Sequence, residues 1–321
     1  MVNERVTKNE ALHLLNFTTI YVIISFSLYI LGRRRKIMTN QELENLIEGK
    51  ETLFRARSSD VFDIGDEKVL KLYHEDVDDE SLKIEYDNTC TAYEKGCTPM
   101  ECFGMFKVNG RNGLVFKKLY GISLTDAPTK ISPAYLFKGG PIIAEQHAMV
   151  HSQITPNLRD VREVAVNTIN KEVEAFSFLS DEERTKAIDY INSLPAADNM
   201  IHLDFHTDNI MVNKETGAIQ TIDWMTACKG DPRCEVAMMN WLFHDAELFP
   251  GCSKLELFLY GTIRVFIFNK YMKAYTKLTG IEKAESKPWD LVAWVLRYGI
   301  WQIESERELL QKYMKEFIEN I

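Results

Sequence analysis

The chain has 321 residues, of which 45% are apolar and 26% charged, which excludes a disordered, collagen-like or coiled-coil main state. A formal charge of −9 argues against a general nucleic-acid binder, because such a protein needs a basic face to displace counterions. One apolar run at most is long enough to cross a bilayer, which excludes a polytopic transporter, and the six cysteines lack the paired CxxC spacing of a zinc or redox site.

Residues 1–37 differ from the rest. They carry six Lys/Arg against two Asp/Glu, whereas the remaining chain has a net charge of −13. No charged residue lies between Ala11 and Gly32, and the run LLNFTTIYVIISFSLYIL within it is 18 residues long. As a helix it would rise about 27 Å, near the hydrocarbon thickness of a bilayer. Arg33-Arg34-Arg35-Lys36 follows at once and would hold the C-terminal body on the cytoplasmic side. A cleaved signal peptide fits poorly, because the positive charge stands on the wrong side of the apolar run. Two readings remain. Residues 11–32 are a single-span anchor, or residues 1–37 are an extension ahead of a soluble domain starting at Met38. Both leave the body cytoplasmic, with membrane contact expected only under the first.

Residues 53–118 are expected to be mostly β. Strands over 61–64 and 69–73 flank a Gly-Asp-Glu-Lys turn, and two more flank the turn at 109–113. Between the pairs, 79–95 has helical spacing, with Leu82, Tyr86, Cys90 and Tyr93 on one stripe and Gly96 as the stop. The order is β-β-β-α-β-β. From Tyr120 onward the pattern is helical, with apolar spacing in 141–153, 160–178, 182–194, 235–248, 254–278 and 289–318. One hairpin interrupts it, with strands at 210–212 and 219–222.

Polar residues bracket that hairpin. His202-Leu203-Asp204-Phe205-His206-Thr207-Asp208-Asn209 precedes it and Asp223-Trp224 follows. A hairpin returns the chain to its starting level, so Asn209 and Asp223 should end side by side, near Asp204. One amide with carboxylates suits a hard cation such as Mg²⁺ that also holds phosphates. His202 and His206 form H-x-x-x-H without the Glu of a zinc-protease motif, so zinc is not expected there.

This pattern is H-x-D-x-x-x-x-N, a hairpin, Ile222-Asp223-Trp224, then Gly230-Asp231-Pro232. It resembles the aminoglycoside and choline phosphotransferases, which share the protein-kinase-like fold. The segment 145–151, Glu-Gln-His-Ala-Met-Val-His, looks like that family's helix leading to the loop, and the likeness spans roughly 50 to 310. It implies an α+β two-lobe fold: a β-rich, nucleotide-binding small lobe at 38–119 and a mostly helical large lobe at 120–321. It further implies ATP or GTP as phosphoryl donor with Mg²⁺, and a small-molecule hydroxyl as acceptor. Asp204 would be the catalytic carboxylate, with Asn209 and Asp223 as metal ligands. Lys71 would contact the phosphates and pair with Glu85, with Glu80 and Glu94 as rivals. Ser58 and Ser59 would stand where protein kinases have a glycine-rich loop. Phe116 and Lys118 would belong to the hinge that meets adenine. Asp231 would brace the catalytic loop, and His202 would be a structural hydrogen bonder.

Two departures from the family pattern stand out. Leu203 replaces the frequent glycine between His and Asp, and Glu235 replaces an aspartate after G-D-P. A protein kinase is disfavoured, because few residues separate Asp223 from Gly230 and no A-P-E follows. A catalytically silent nucleotide-binding scaffold is the other alternative. From Tyr120 on there are 21 Lys/Arg against 28 Asp/Glu, and Asp245, Glu247, Glu304, Glu306 and Glu308 lie where an acceptor should enter. A cleft lined by them would attract a cationic or neutral acceptor, such as an aminoglycoside or amino alcohol.

Overall fold

The computed structural model describes residues 38–56, 58–247 and 253–321. The chain divides into two compact units, Met1–Glu48 and Gly49–Ile321. That boundary falls inside the span expected for the small lobe. In the first unit the described element is α1 (Asn40–Ile47), opened by a capping box between Thr39 and Glu42. The expected anchor at 11–32 lies outside the described residues. Among those described, no helix is long and apolar enough to cross a membrane.

The second unit begins with the predicted β-β-β-α-β-β order. It runs β1 (Phe54–Arg55), β2 (Ser59–Gly65), β3 (Lys68–Tyr73), α2 (Asp79–Glu94), β4 (Cys102–Val108) and β5 (Arg111–Lys117). The five strands form one antiparallel sheet in the order β1-β2-β3-β5-β4. Two turns set its register. Asp66-Glu67 and Asn109-Gly110 each place both residues at positive φ, the mirror-image turn that matches strand twist. The second turn is shorter than the expected 109–113, and Arg111, Asn112 and Gly113 join β5. Gly113 suits that place because a Cβ there would meet Leu70 Cδ1 at 3.0 Å. Helix α2 starts where Asp78 accepts from Ser81 N at 2.7 Å. Its buried face is Leu82, Glu85, Asn88, Thr89 and Ala92. That is rotated from the expected stripe, and Tyr93 is exposed.

The large lobe is mostly helical. Its elements are β6 (Ile122–Ser123), α3 (Ala127–Lys130), α4 (Tyr135–His151), α5 (Val161–Lys171), α6 (Asp181–Ser193), β7 (Met200–Ile201), β8 (Ile210–Val212), β9 (Ile219–Thr221), β10 (Cys228–Lys229), α7 (Pro232–His244), α8 (Lys254–Thr279), α9 (Asp290–Leu296) and α10 (Arg307–Glu319). The expected hairpin forms from β8 and β9, with Ile210 opposite Thr221. It gains β6 as a third strand, while β7 and β10 pair as a second small sheet beneath the polar loop.

The helix expected over 289–318 is broken. A π-helical turn at Arg297–Trp301 ends at Gln302, whose φ is +48°. Nine residues of continuous helix would separate Arg297 and Glu306 by about 13 Å. The break instead lets them form a buried two-bonded ion pair, both contacts 2.7 Å. The core centres on α7, where Val236, Ala237, Met238, Met239 and Trp241 are all buried. Helices α4 and α8 cross closely at Gly140, where a Cβ would lie 2.6 Å from Tyr271 N.

Candidate active site

The loop between β7 and β8 carries the polar motif, and a buried carboxylate shapes it. Asp231 accepts from Arg233 N at 2.9 Å and caps α7, with Pro232 at its first position. This sets Glu235 in the first turn of α7, fully buried against the loop. Its two oxygens accept from His202 N at 2.7 Å and Leu203 N at 2.6 Å. Leu203 has φ +68° and is buried, so the departure from glycine costs strain that these two bonds hold in place. The brace expected of Asp231 therefore belongs to Glu235, because Asp231 is spent on its own helix and on Arg233.

Two histidines of α4 share that carboxylate. His151 Nε2 is 2.9 Å from Glu235 Oε2, and His147 Nε2 is 3.0 Å from the same oxygen but poorly aligned for a hydrogen bond. Their Nδ1 atoms meet the hydroxyls of Tyr275 at 2.6 Å and Tyr271 at 2.8 Å. Burial opposes the charge of Glu235, but His147 and His151 outweigh it and hold the carboxyl well below its usual range. Burial, reinforced by His151, pushes His147 down to about 4. The donor atoms of His147, His151 and Glu235 lie within 4.8 Å of one another, a spacing a metal ion could accept. With both oxygens of Glu235 already taking backbone N–H groups, the set is read as a closed hydrogen-bond network.

Asp204 follows directly. Asn209 Nδ2 donates to its carbonyl at 2.9 Å and its Oδ2 at 3.2 Å, and His206 Nε2 is 3.5 Å from that Oδ2. Burial opposes the charge of Asp204, but His206 holds the carboxyl below its ordinary value. His202 uses both ring nitrogens on the backbone: Nε2 on Ile222 O at 3.0 Å and Nδ1 on Asp204 N at 3.3 Å. Neither is left to act as a base.

Asp223 stands at the other end of the hairpin with φ +64°. Ile222 N donates to Asn209 O at 2.9 Å, which keeps the two polar positions adjacent. Lys71 on β3 reaches Glu85 Oε1 at 2.7 Å and Asp223 Oδ1 at 3.3 Å, so it joins both lobes. Glu80 and Glu94 are not its partners. Burial opposes the Lys71 charge, but Asp223 and Glu85 outweigh it and raise its pKa. Burial pushes Glu85 up, against the pull of Lys71. Asn88, one turn after Glu85, donates to the carbonyls of Trp224 at 2.9 Å and Ala227 at 2.9 Å. Helix α2 is thus fastened to the segment that carries Asp223.

Other expected residues are placed differently. Ser58 does lie in the connection between β1 and β2, its carbonyl accepting from His74 N at 2.8 Å. Ser59 opens β2 fully buried, its hydroxyl without a hydrogen-bond partner and not on an open loop. Phe116 lies inside β5 with its side chain in the core, and Lys118 N donates to Glu67 O at 2.7 Å. Phe116 is thus part of the strand ladder, while Lys118 stands just past the end of β5 with its N–H taken. Glu306 is committed to Arg297, Trp241 and Glu247 N and cannot line an acceptor cleft. Asn88, His147 and His151 were not singled out individually from the sequence. Their signal is polar residues at buried helical spacing, with the histidines at i and i+4.

Two lobes with a polar loop and hairpin between them define the class of kinase-like phosphotransferases. The phosphotransferase enzyme family matches residues 54–250, and the chain belongs to that family. The fold is similar to a protein provisionally designated fructosamine-3-kinase from Haemophilus somnus, with TM-score 0.57 and 14% identity over 86% of this chain and 95% of that one. It is also similar to the aminoglycoside phosphotransferase APH(3'')-Id from Streptomyces rimosus, with TM-score 0.52 and 15% identity over 80% and 95% of the two chains. No curated protein matches the sequence significantly.

Proposed function

We propose that the protein transfers the γ-phosphoryl group of ATP or GTP to a hydroxyl of a small, cationic or neutral acceptor. One observation carries the reading: Lys71 bridges Glu85 and Asp223 while Asp204 is joined to Asn209, so a phosphate clamp and a proton acceptor converge on one hairpin. Asp204 would orient the hydroxyl and take its proton. Lys71 would meet the donor phosphates, held ready by its two carboxylates. Asp223 and Asn209 would hold Mg²⁺. Asp223 is partly exposed with Oδ1 on Lys71, and Asn209 spends its amide nitrogen on Asp204, which turns its Oδ1 away from that carboxylate. Two hard oxygen donors fit that ion, which when bound offsets the charge of the phosphates. The base would meet the chain beyond Lys118.

The acids that remain available support the proposed acceptor class. A cavity of about 660 Å³ is lined by Glu247, Ile303, Glu304 and Ser305. Glu247 N bonds Glu306, which holds Arg297, a residue close enough to Asp204 to influence its charge. An acceptor entering there would be favoured by these acids if it carries an amine and disfavoured if it is anionic. If residues 11–32 span a bilayer, this chemistry would take place at its cytoplasmic face.

The test is a panel of aminoglycosides, choline, sugars and homoserine, scored by consumption of ATP and of GTP with Mg²⁺. Turnover on an amine-bearing alcohol, weakening as salt rises, is expected. Nucleotide binding without turnover on any acceptor would favour the silent scaffold instead.

A further inference from the structure

Two cysteines that stand apart in the sequence meet where α2 packs on β4. Gly96, with φ +73°, ends α2, and Cys97 N donates to Ala92 O at 2.8 Å. The chain therefore turns back at once and opens β4 at Cys102, beside Cys90 of the helix. The two thiols are hydrogen-bond partners. Cys102 lies in the core at the bulge between Cys102 and Gly104, where Gly104 N donates to its sulfur. Cys90 is half-buried, and its second partner is the side chain of Tyr86, one turn earlier.

Among the described residues, Cys90 is the one cysteine that solvent reaches, since Cys97, Cys102, Cys228 and Cys234 are buried. Its acidity differs as well. The hydrogen bonds from Cys102 and Tyr86 hold the Cys90 thiol below its usual range, against burial and the charges of Glu94 and Asp87. Burial instead pushes Cys97 and Cys228 up to about 11. The thiolate is the form that attacks an oxidant, so Cys90 combines access with reactivity, and a second sulfur stands ready beside it.

We propose that Cys90 and Cys102 are a peroxide-sensitive pair that closes into a reversible disulfide, with Cys90 the attacking thiol and Cys102 the resolving one. The Cys90 sulfur attacks one oxygen of hydrogen peroxide, the O–O bond breaks, and the second oxygen leaves as water, which gives a sulfenic acid. The Cys102 hydrogen bond to Cys90 and burial keep the proton on the Cys102 sulfur in the reduced chain. Once Cys90 is oxidised, the neighbouring thiolate is gone and the Cys102 sulfur can attack. The S–S bond then forms, the S–O bond breaks, and the oxygen leaves with the Cys102 proton as a second water. In sum, two thiols lose two electrons and two protons, and one peroxide becomes two waters. A dithiol reductant reverses the bond by exchange. The bond would join the helix that carries Glu85 to the sheet that carries Lys71, and Glu85 already lies close enough for its charge to reach Cys102.

Peptide mass mapping of the full chain after treatment with hydrogen peroxide tests this and needs neither nucleotide nor acceptor. The expected product is a Cys90–Cys102 disulfide that dithiothreitol removes. With dimedone present to trap sulfenic acid, Cys102→Ala should raise the adduct at Cys90 at least about tenfold over wild type, because nothing then resolves the intermediate. Cys90→Ala should leave Cys102 reduced. The proposal is overturned if wild-type Cys90 stays a thiol, if it is trapped by dimedone as fully as in Cys102→Ala, or if it pairs with Cys97 or Cys252 instead. Oxidation of Cys102 in Cys90→Ala at the wild-type rate would overturn the order of attack.

Discussion

Leu203 and Asp223 sit on either side of the proposed catalytic loop in left-handed backbone, a conformation that costs non-glycine residues roughly 1–3 kcal/mol each. At Leu203 the strain is held by Glu235, whose oxygens take the N–H groups of His202 and Leu203. Replacing Glu235 by Gln turns one acceptor into a donor that faces a backbone donor. Glu235→Gln should therefore lower kcat at least about tenfold with little change in the KM for nucleotide, and Glu235→Asp should restore part of the loss. An equal change in both constants would mean that Glu235 supports the whole lobe and not the loop. Asp204→Asn should cut turnover by at least about a hundredfold with nucleotide affinity nearly intact; near-wild-type turnover would remove Asp204 from its role. The grouping of Asp204, Asn209 and Asp223 was legible in the sequence because a hairpin is local and its spacing alone sets their proximity. The brace was not. Glu235 meets Leu203 from another element, and only tertiary packing decides whether Glu235 or Asp231 points at the loop.

Among the elements, the pair Gly139 and Gly140 allows a sharp comparison. A Cβ on Gly140 would press on Lys270 Cβ, Tyr271 N and Ile267 O of α8 at 2.6–2.7 Å, whereas one on Gly139 meets nothing within 4 Å. Gly140→Ala should destabilise by about 1–3 kcal/mol, as overpacking does, while Gly139→Ala should be neutral or stabilising by up to about 1 kcal/mol. Denaturant unfolding of the two variants decides it, and equal effects would show that α4 and α8 are free to separate. The same crossing brings Tyr271 and Tyr275 to the imidazoles that share Glu235, so Gly140→Ala should also slow turnover. Strand order and most helices were readable because their periodicity is strong. The face of α2 was misread because Glu85 and Asn88 are polar yet buried. They pair with Lys71 and with the segment after Asp223, and hydropathy assigns such residues to solvent. The break between α9 and α10 escaped for a similar reason, since the apolar spacing continues through a turn set by the Arg297–Glu306 pair.

For the whole molecule, the buried titratable groups set the response to acid. His147 is held down to about 4 by burial and its neighbour His151, and burial holds His202 below its usual value as well. Between pH 6.5 and about 4 the unfolded chain therefore binds protons at these positions that the folded chain does not, and stability falls as pH falls. Asp290 opposes this. Burial raises its carboxyl to about 6, so from pH 6 down to about 4 the folded state binds a proton that the unfolded chain lacks, and stability rises. Each printed shift corresponds to roughly 3 kcal/mol at full effect. With Asp290 nearly cancelling His147, and the carboxyls of Glu85 and Asp245, raised by burial, opposing the loss due to His202, the wild type should change little in stability down to about pH 4. Below that, the depressed carboxyls of Glu235 and Glu306 must be protonated and stability should fall steeply. Asp290→Asn removes the opposing group. The variant should be more stable than wild type at pH 7, where it relieves a buried charge, and should lose roughly 2–3 kcal/mol more than wild type between pH 6.5 and 4. Urea unfolding of both proteins at pH 7, 5.5 and 4.5 measures the two slopes, and parallel curves would show that Asp290 is solvated in the folded chain.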